Sequence, residues 1–405
     1  MLHGKEILLG VTGGIAAYKS VLLLRELTKQ GANVNVIMTK SATEFVGPLT
    51  FQTLSGNPVT TEIFTLFASA EIGHVALASR ADLLVIAPAT ANIIGKIANG
   101  IADDFLTTMV MATRVPVLFA PAMNTNMWAS KVVQKNISGL KEMGYNFMDP
   151  AEGELACGVV GRGKLADIEA IMDEIKALLS PDDLRGEKIL ISAGPTEEAI
   201  DPARCLTNRS SGKMGYALAA VARRRGAQVT LIAGPCAEIE TWGIKVIPCR
   251  TAVEMAAAID ANLEGVTSVI MAAAVADFRP ATKAVEKIKR EGRFCLELEP
   301  NPDILAGLGQ RQNKPFLVGF AAETNMLLDH AKDKIRRKNL DMIVANDVTA
   351  PGAGFGVDTN IIKIIDRDGK VLDFPLMSKE KVAGIIFDHL LELKRERRRR
   401  GGPGV

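Results

Sequence analysis

Two stretches of the chain share one pattern of apolar and polar positions. Each has a short apolar run, a glycine-rich turn, an amphipathic segment of helical period, a Gly-Ala pair and a second apolar run. The first stretch is residues 5–39 and the second is residues 187–235. A strand, a helix and a strand at this spacing form a βαβ unit, so the pattern predicts an α/β protein whose two halves each contain a parallel sheet.

The second copy of the pattern has a longer first turn. Ile7 and Ile189 are 182 residues apart, whereas Gly31 and Gly226 are 195 apart, so 13 additional residues surround EEAIDPARCLTNRSS. A long turn at the carboxyl edge of a parallel sheet is a common place for a ligand. The segment LLSPDDLRGEK between the halves has the composition of a linker and predicts domains at residues 1–181 and 187–405.

Three turns of small and polar residues follow apolar runs in the first half, in GVTGG, APATAN and APAMN. The first turn suits a monophosphate at a helix N-terminus, whereas the GxGxxG fingerprint and the ribose-binding acid of a dinucleotide site are missing. The pattern therefore favours FMN, and tight turns that hold no ligand are the alternative. The candidate cofactor-binding residues are Thr12, Gly13, Gly14, Thr39, Pro88, Ala89, Thr90, Asn92 and Met123.

Composition narrows the class of protein. The 405 residues are 48% apolar and 23% charged, which is typical of a soluble protein of two domains. A net charge of +2 does not suggest a nucleic-acid binder, and no apolar run is long enough to cross a membrane. Five scattered cysteines and an amino terminus unlike a signal peptide predict reduced thiols and a cytoplasmic location. The basic run at 394–402 predicts a solvated, frayed tail.

Longer motifs carry a family resemblance. TGGIAAYK, GHVALASRADLLVIAPATANIIGKIANGIADD, PAMN and GELACGVVGRGKL resemble the flavin-containing cysteine decarboxylases. GPTEEAIDPARCLTNRSSGKMG, AAAVADF, EKIK, NPDIL, GFAAET and RRKNLDMIVAND resemble phosphopantothenate–cysteine ligase. From about residue 5 to residue 378 the chain is similar, in the family's order, to the bifunctional coenzyme A biosynthesis proteins known as CoaBC or Dfp.

The resemblance implies a fold and two reactions. The fold is α/β with two doubly wound parallel-sheet domains, a flavodoxin-like flavin domain followed by a Rossmann-like ligase domain. The ligase joins cysteine to 4'-phosphopantothenate with CTP through an acyl-cytidylate. The decarboxylase converts the product to 4'-phosphopantetheine with FMN as its electron sink. Small-molecule substrates, a dodecameric homo-oligomer and Mg²⁺ are also implied, and the sequence does not identify the Mg²⁺ ligands.

Three residues of the first half receive roles from the resemblance. His74 performs acid–base chemistry, Asn124 binds the substrate carboxylate beside Met123, and Cys157 protonates the enethiol left after carbon dioxide departs. Outside that context the pattern favours a helix-face histidine and an inert thiol for His74 and Cys157, and Asn124 is a loop amide. Cys157 lies in a glycine-rich flap, in which Lys164 stands where the family more often has arginine.

In the second half the resemblance implies that Asn208 handles the acyl-cytidylate intermediate. Joining a carboxylate to a triphosphate requires cations, which lysines can supply, although spacing alone makes these lysines solvated helix charges. The CTP contacts implied by the resemblance are Asp277, Lys287, Pro302, Asp303, Ile304, Leu305, Phe320, Lys334 and Lys338.

Two other functions stay open on the sequence. One is a dehydrogenase with two nucleotide-binding folds, which the missing ribose-binding acids disfavour. The other is a non-catalytic flavoprotein, which the presence of the family's site residues disfavours. The visible spectrum of the purified protein distinguishes a flavoenzyme from a colourless nucleotide-binding protein.

Overall fold

The structure of the protein is a computed structural model that describes residues 2–62, 73–154, 158, 160–237, 240–290, 294–323, 327–347, 352, 354 and 356–400. The chain divides into two compact units, Met1–Pro181 and Asp182–Val405. Within these ranges, no helix has the length and apolar character that a membrane span requires.

The strands of the first unit are mostly buried apolar runs. Five of them form one parallel sheet in the order β2-β1-β3-β4-β5, which is the order of flavodoxin-like folds. The last two form an antiparallel hairpin. Their bounds are β1 (Glu6–Val11), β2 (Asn33–Met38), β3 (Leu83–Ala89), β4 (Val117–Pro121), β5 (Asn146–Phe147), β6 (Ala151–Glu154) and β7 (Val160–Lys164).

Most of the longer helices of the first unit pack on the sheet through an apolar stripe. In the first helix the buried residues Ser20, Leu23, Leu24 and Leu27 recur at helical spacing. The fifth begins with a capping box formed by Asp104 and Thr107. The helices are α1 (Ala17–Lys29), α2 (Pro48–Ser55), α3 (Gly73–Arg80), α4 (Ala91–Ala98), α5 (Phe105–Ala112), α6 (Thr125–Ala129), α7 (Lys131–Glu142) and α8 (Ile168–Leu178), with a 3₁₀ helix at Lys40–Glu44.

The second unit contains an eight-stranded sheet and two small hairpins. The residues added to its first turn form one of these hairpins, β9–β10. The strands are β8 (Lys188–Ala193), β9 (Glu197–Asp201), β10 (Arg204–Thr207), β11 (Gln228–Ala233), β12 (Lys245–Pro248), β13 (Ser268–Met271), β14 (Phe278–Pro280), β15 (Leu298–Pro300), β16 (Phe316–Glu323), β17 (Met342–Asp347), β18 (Thr359–Asp366) and β19 (Val371–Ser378).

The order of the large sheet confirms the predicted doubly wound fold. Its strands run β12-β11-β8-β13-β16-β17-β18-β19, and the first six are parallel in the order of a Rossmann fold. The last two strands are antiparallel, which the sequence pattern does not predict. The helices are α9 (Lys213–Arg224), α10 (Ala252–Ala261), α11 (Ile304–Gly309), α12 (Leu327–Arg337) and α13 (Lys379–Arg400).

The basic run near the carboxyl terminus is helical within the described residues, so the prediction of a frayed tail is wrong, whereas Arg395 and Arg397–Arg399 are exposed as predicted for a solvated segment. Helix α13 continues to Arg400 because Phe387 and Leu390 pack in the core and Lys394 pairs with Glu187. Residues 401–405 lie outside the described part of the chain.

The segment expected to be a linker contributes to the second unit. Leu184 is fully buried in that unit's core. The nearly buried guanidinium of Arg225 donates to Asp183 through Nε at 2.8 Å and Nη2 at 2.6 Å. Its Nη1 lies 2.7 Å from Asp388 Oδ1 and donates to the Gly384 carbonyl at 3.0 Å. This hydrogen bonding lowers the pKa of Asp183 and joins the segment after Pro181 to α9 and α13.

We expect the Arg225→Met change to lower the free energy of unfolding of the second unit by about 2 kcal/mol. The cost stays below that of a fully buried pair, because both carboxylates can regain water. Hydrogen exchange of α9 and α13 amides, read by mass spectrometry, measures this unit alone. The matched control is Arg185→Met, which removes an exposed pair with Asp182 and should change stability by less than about 0.5 kcal/mol. Equal effects of the two changes would contradict the account.

Candidate functional site

A cavity of about 810 Å³ opens in the first unit where β1, β2, β3 and β4 end. Its position matches the rule that ligands bind at the carboxyl edge of a parallel sheet. Asn124 lines it together with most of the predicted cofactor-binding residues: Thr12, Gly13, Gly14, Thr39, Thr90, Asn92 and Met123.

Pro88 and Ala89 do not line this cavity, in contrast to the turn that the sequence predicts for them. Strand β3 continues through both residues, and Ala89 is fully buried. The Pro88 carbonyl accepts the hydroxyl of Thr12 at 2.6 Å, and the Ala89 carbonyl accepts the Ala122 N–H at 3.1 Å. The two residues therefore stabilise the cavity wall through their backbone carbonyls, although they do not line the cavity.

The turn after β1 packs closely against the 3₁₀ helix at Lys40–Glu44. A Cβ on Gly13 would lie 2.3 Å from Ser41 Cβ, so only glycine lets this turn touch the 3₁₀ helix. In the first turn of α1 the N–H groups of Ala17 and Lys19 donate to the carbonyls of Gly14 and Ala16 at 2.9 and 3.0 Å, so an anion would bind at the turn that precedes them, where Gly13 and Gly14 line the cavity at the helix N-terminus. The buried Thr39 hydroxyl lines the same wall and has no hydrogen-bond partner among the described residues.

The PAMN segment is held by the β6–β7 hairpin. Met123 N–H donates to the Gly163 carbonyl at 2.9 Å. Gly163 has φ +150°, and a Cβ there would lie 2.3 Å from the Met123 carbonyl oxygen, so glycine is required for this contact. The Asn124 side chain caps α6 by accepting the Asn126 N–H at 2.9 Å. The hairpin also brings Lys164 to the cavity.

Two predicted catalytic residues have no described side-chain position. The backbone of His74 belongs to α3, but its side chain lies outside the described residues. Cys157 lies outside them entirely. Their roles stay predictions.

The sequence prediction missed charged residues at the first cavity. Lys40 directly follows Thr39, which the sequence prediction included, at the end of β2. Lys96 lies 2.7 Å from Asp103, and this hydrogen bond raises the lysine's pKa. Lys19 of α1 also lines the cavity and is predictable only from the fold.

A second cavity, of about 650 Å³, lies in the second unit near the ends of β13, β16 and β17 and the start of α9. It brings together Asn208 and all but one of the predicted CTP contacts: Asp277, Pro302, Asp303, Ile304, Leu305, Phe320, Lys334 and Lys338.

Lys287 is the exception, because the residue after it is hydrogen-bonded near the β9–β10 turn and not at the cavity. Lys287 is exposed and does not line the cavity. The next residue, Ile288, donates its N–H to the buried carboxylate of Asp201 at 3.1 Å, next to the β9–β10 turn. Asp201 also accepts the N–H groups of Ala203 at 2.7 Å and Arg204 at 2.8 Å.

Asn208 organises the wall beside β13. Its Nδ2 donates to the Ala274 carbonyl at 3.1 Å and the Val275 carbonyl at 3.2 Å. The loop after β13, which continues to Asp277, is thereby held against the start of α9.

Asp303 and Lys338 form an ion pair on the α11–α12 side of the cavity. Lys338 Nζ lies 2.9 Å from Asp303 Oδ2, and Asp303 caps α11 by accepting the Ala306 N–H at 3.1 Å. Burial raises the pKa of Asp303, but these hydrogen bonds outweigh burial, so the pKa lies below its ordinary value. The Asp303 carboxylate is therefore ionised at neutral pH.

The sequence prediction missed a buried lysine on the other side of the second cavity. Lys379 begins α13, and its ammonium donates to the carbonyls of Val357, of Thr359 at 3.0 Å and of Gly354 at 3.5 Å, and to Asn360 Oδ1 at 3.0 Å. Burial lowers its pKa. The lysine ties the segment that carries Gly354 and Asn360 to the cavity wall. No local sequence signal marks it, because its acceptors lie about 20 residues earlier.

The described part of the chain holds no group of three or more His, Cys, Asp or Glu residues positioned for a metal ion. A metal that arrives with a phosphorylated substrate needs fewer protein ligands than a resident one.

Two family models match the chain. The model described as "Flavoprotein" matches residues 1–180. The model described as "DNA/pantothenate metabolism flavoprotein C-terminal domain" matches residues 184–393. Each match falls almost entirely within one of the two units.

Relatives of nearly full length resemble the chain. The "Coenzyme A biosynthesis bifunctional protein CoaBC" of Bacillus subtilis (strain 168) is 47% identical over 401 residues, covering 98% of this chain and 99% of the relative. The protein of the same name from Escherichia coli (strain K12) is 43% identical over 406 residues, covering 98% and 100%. A solved C-terminal domain of a CoaBC protein is 40% identical, covers 53% of this chain and 99% of that one, and has a TM-score of 0.46.

We expect the Lys379→Met change to loosen the segment at 356–360, because the carbonyls around the ammonium lose their shared donor. Amide exchange there should accelerate by about tenfold, the equivalent of one strong hydrogen bond. The control is Lys381→Met, which changes an exposed lysine in the same helix turn. Unchanged exchange in Lys379→Met would show that the lysine does not hold the segment.

Proposed function

The chain belongs to the family of bifunctional coenzyme A biosynthesis proteins CoaBC, and on this premise we propose which unit performs which reaction. The protein is an enzyme with phosphopantothenoylcysteine decarboxylase and phosphopantothenate–cysteine ligase activities. We assign decarboxylation to Met1–Pro181 and ligation to Asp182–Val405. The observation that carries the assignment is that each unit has one family match and its own cavity at a sheet edge. Because the chain belongs to this family, the alternative interpretation as a dehydrogenase is wrong.

FMN is the cofactor that the first cavity fits best. The glycine turn before α1 offers backbone N–H groups to one phosphate, and Lys19 and Lys40 add positive charge. When bound, FMN supplies the electron sink that decarboxylation of this substrate needs.

The protein's own groups position the decarboxylase substrate. Asn124 faces the cavity beside Met123 and can hold the substrate carboxylate. The β6–β7 hairpin covers this point through its hydrogen bond to Met123, which helps to exclude water. Acid–base chemistry at His74 and proton donation from Cys157 rest on the family resemblance alone.

Ligation in the second cavity begins with attack of the phosphopantothenate carboxylate on the α-phosphorus of CTP, which releases pyrophosphate. The cysteine amine then attacks the acyl carbon and releases CMP. Lys334 and Lys338 line the cavity and can balance phosphate charge, and Asn208 positions the acyl group. Mg²⁺ would accompany the triphosphate. Lys287 can act only if the segment docked on Asp201 approaches the cavity.

Small-molecule substrates suit both cavities. A homo-oligomer, a dodecamer in particular, and a cytoplasmic location stay predictions from the resemblance and the cysteine pattern.

We expect Gly13→Ala to reduce bound FMN to less than about a tenth of the wild-type content, because the new methyl group forces the α1 turn away from Ser41. The matched control is Gly95→Ala in α4, where the nearest atom to a Cβ is 3.8 Å away. Flavin released from equal amounts of protein is quantified by absorbance. Full FMN content in Gly13→Ala would contradict the proposed phosphate site.

We expect Asn208→Leu and Asn124→Leu to have opposite effects. The first should slow ligation by about 100-fold or more and leave decarboxylation of added phosphopantothenoylcysteine unchanged. Asn124→Leu should slow decarboxylation by about 100-fold or more and leave ligation unchanged. Each reaction is measured separately, by CMP release and by carbon dioxide release. Loss of both activities in either variant, with the fold retained, would contradict the assignment of one reaction to each unit.

A further inference from the structure

Lys164 is a half-buried lysine that lines the first cavity from the end of β7. Its ammonium forms no hydrogen bond or ion pair with any residue that the structure describes. Glu154 of the same hairpin also lines the cavity, but it lies opposite Val160, at the other end of the ladder from the Ala151–Lys164 pair. A cation on a cavity wall that no protein anion neutralises is suited to an anionic group of a ligand.

The backbone of Lys164 is fixed on both sides. The preceding residue, Gly163, accepts the Met123 N–H at 2.9 Å, which holds it against the PAMN segment. The following residue, Leu165, is buried in the core of the first unit. The lysine side chain extends across β6, since a Cβ on Gly153 would lie 3.8 Å from Lys164 Cδ and 3.9 Å from its Nζ. The ammonium is therefore carried by a rigid hairpin beside the PAMN segment.

The other lysines that line this cavity have other neighbours. Lys19 of α1 and Lys40 of the 3₁₀ helix lie on the two elements that meet at the glycine turn, where the phosphate of FMN is proposed to bind. Lys96 of α4 lies 2.7 Å from Asp103 Oδ1, so an aspartate already neutralises its charge. Lys164 differs from these three lysines because its strand is hydrogen-bonded to the PAMN segment.

The decarboxylase substrate, 4'-phosphopantothenoylcysteine, has two anionic groups, which are the carboxylate of its cysteine and its phosphate. The proposed place of the carboxylate is at Asn124, in the PAMN segment. Because Gly163 is hydrogen-bonded to Met123 of that segment, the carboxylate is the anion that lies nearer to Lys164.

We propose that Lys164 is a substrate-binding residue of the decarboxylase unit, whose ammonium pairs with the cysteine carboxylate of the substrate. This inference rests on the proposed binding of that carboxylate at Asn124. When the bond to the carboxyl carbon breaks, its electron pair stays on the substrate and neutral carbon dioxide departs. The attraction to Lys164 is therefore strongest in the ground state, so it increases the affinity for the substrate without accelerating decarboxylation.

The test uses the full chain loaded with FMN and the change Lys164→Met, which removes the charge and keeps a flexible side chain of similar length. KM for 4'-phosphopantothenoylcysteine should rise by about tenfold, whereas kcat should stay equal or rise. A lysine that only stabilised the hairpin would not produce this separation of KM from kcat.

Two competitors of the substrate identify the anion that Lys164 binds. Pantothenoylcysteine carries the carboxylate without the phosphate, so its inhibition constant should rise by about tenfold in Lys164→Met. The product 4'-phosphopantetheine carries the phosphate without the carboxylate, so its inhibition constant should not change.

Two further variants control for charge and for the hairpin. Lys164→Arg keeps a cation at this position and should retain most of the affinity that Lys164→Met loses. Arg162→Met is the matched control, because Arg162 belongs to the same strand, lies 3.4 Å from Asp149 and does not line the cavity. It should leave KM, kcat and both inhibition constants unchanged. All three variants should contain as much FMN as the wild type, measured by absorbance.

Four results would overturn the inference. Weaker binding of 4'-phosphopantetheine but not of pantothenoylcysteine would show that Lys164 binds the substrate phosphate. Loss of FMN from Lys164→Met would show that it binds the cofactor. A lower kcat with unchanged KM would show that it does not act on ground-state binding. Failure of the wild-type chain to release carbon dioxide would remove the decarboxylase assignment as well, whereas the first three results leave that assignment intact.

Discussion

Parallel pairing places the carboxyl ends of neighbouring strands at one edge of a sheet, and both cavities depend on this constraint. In the first unit the turns after β1, β3 and β4 meet because the three strands are adjacent and parallel. In the second unit the ends of β13, β16 and β17 meet for the same reason. Residues far apart in the sequence are therefore brought together into one site within each unit.

Side chains at these edges mainly hold one turn against another. Thr12 joins the turn after β1 to the end of β3, and Asn208 joins the start of α9 to the loop after β13. Lys379 joins α13 to the segment before β18. Each tie is a hydrogen bond to a backbone carbonyl, so it fixes the backbone and leaves the cavity free for a ligand. In the first unit, glycine at Gly13 and Gly163 allows two such turns to approach their neighbours closely.

The sequence predicts the strands and most of the first cavity well, because strands buried on both faces are continuous apolar runs and the turns that follow them are local. It assigns Pro88 and Ala89 to a turn, since proline usually ends a strand, but β3 continues through them. Asn360 and Lys379 belong to two elements that only tertiary packing unites, so no local pattern marks them. The position of Lys287 depends on the hydrogen bond of Ile288 to Asp201, which spacing cannot predict.

The central claim is that each unit binds its own ligand in its own cavity. Calorimetric titration of the full chain with CTP and Mg²⁺, before and after saturation with FMN, tests it most directly. The account predicts one CTP site per chain, with the same dissociation constant in both titrations and no release of FMN. Displacement of FMN by CTP, or loss of the CTP site once FMN is bound, would contradict it.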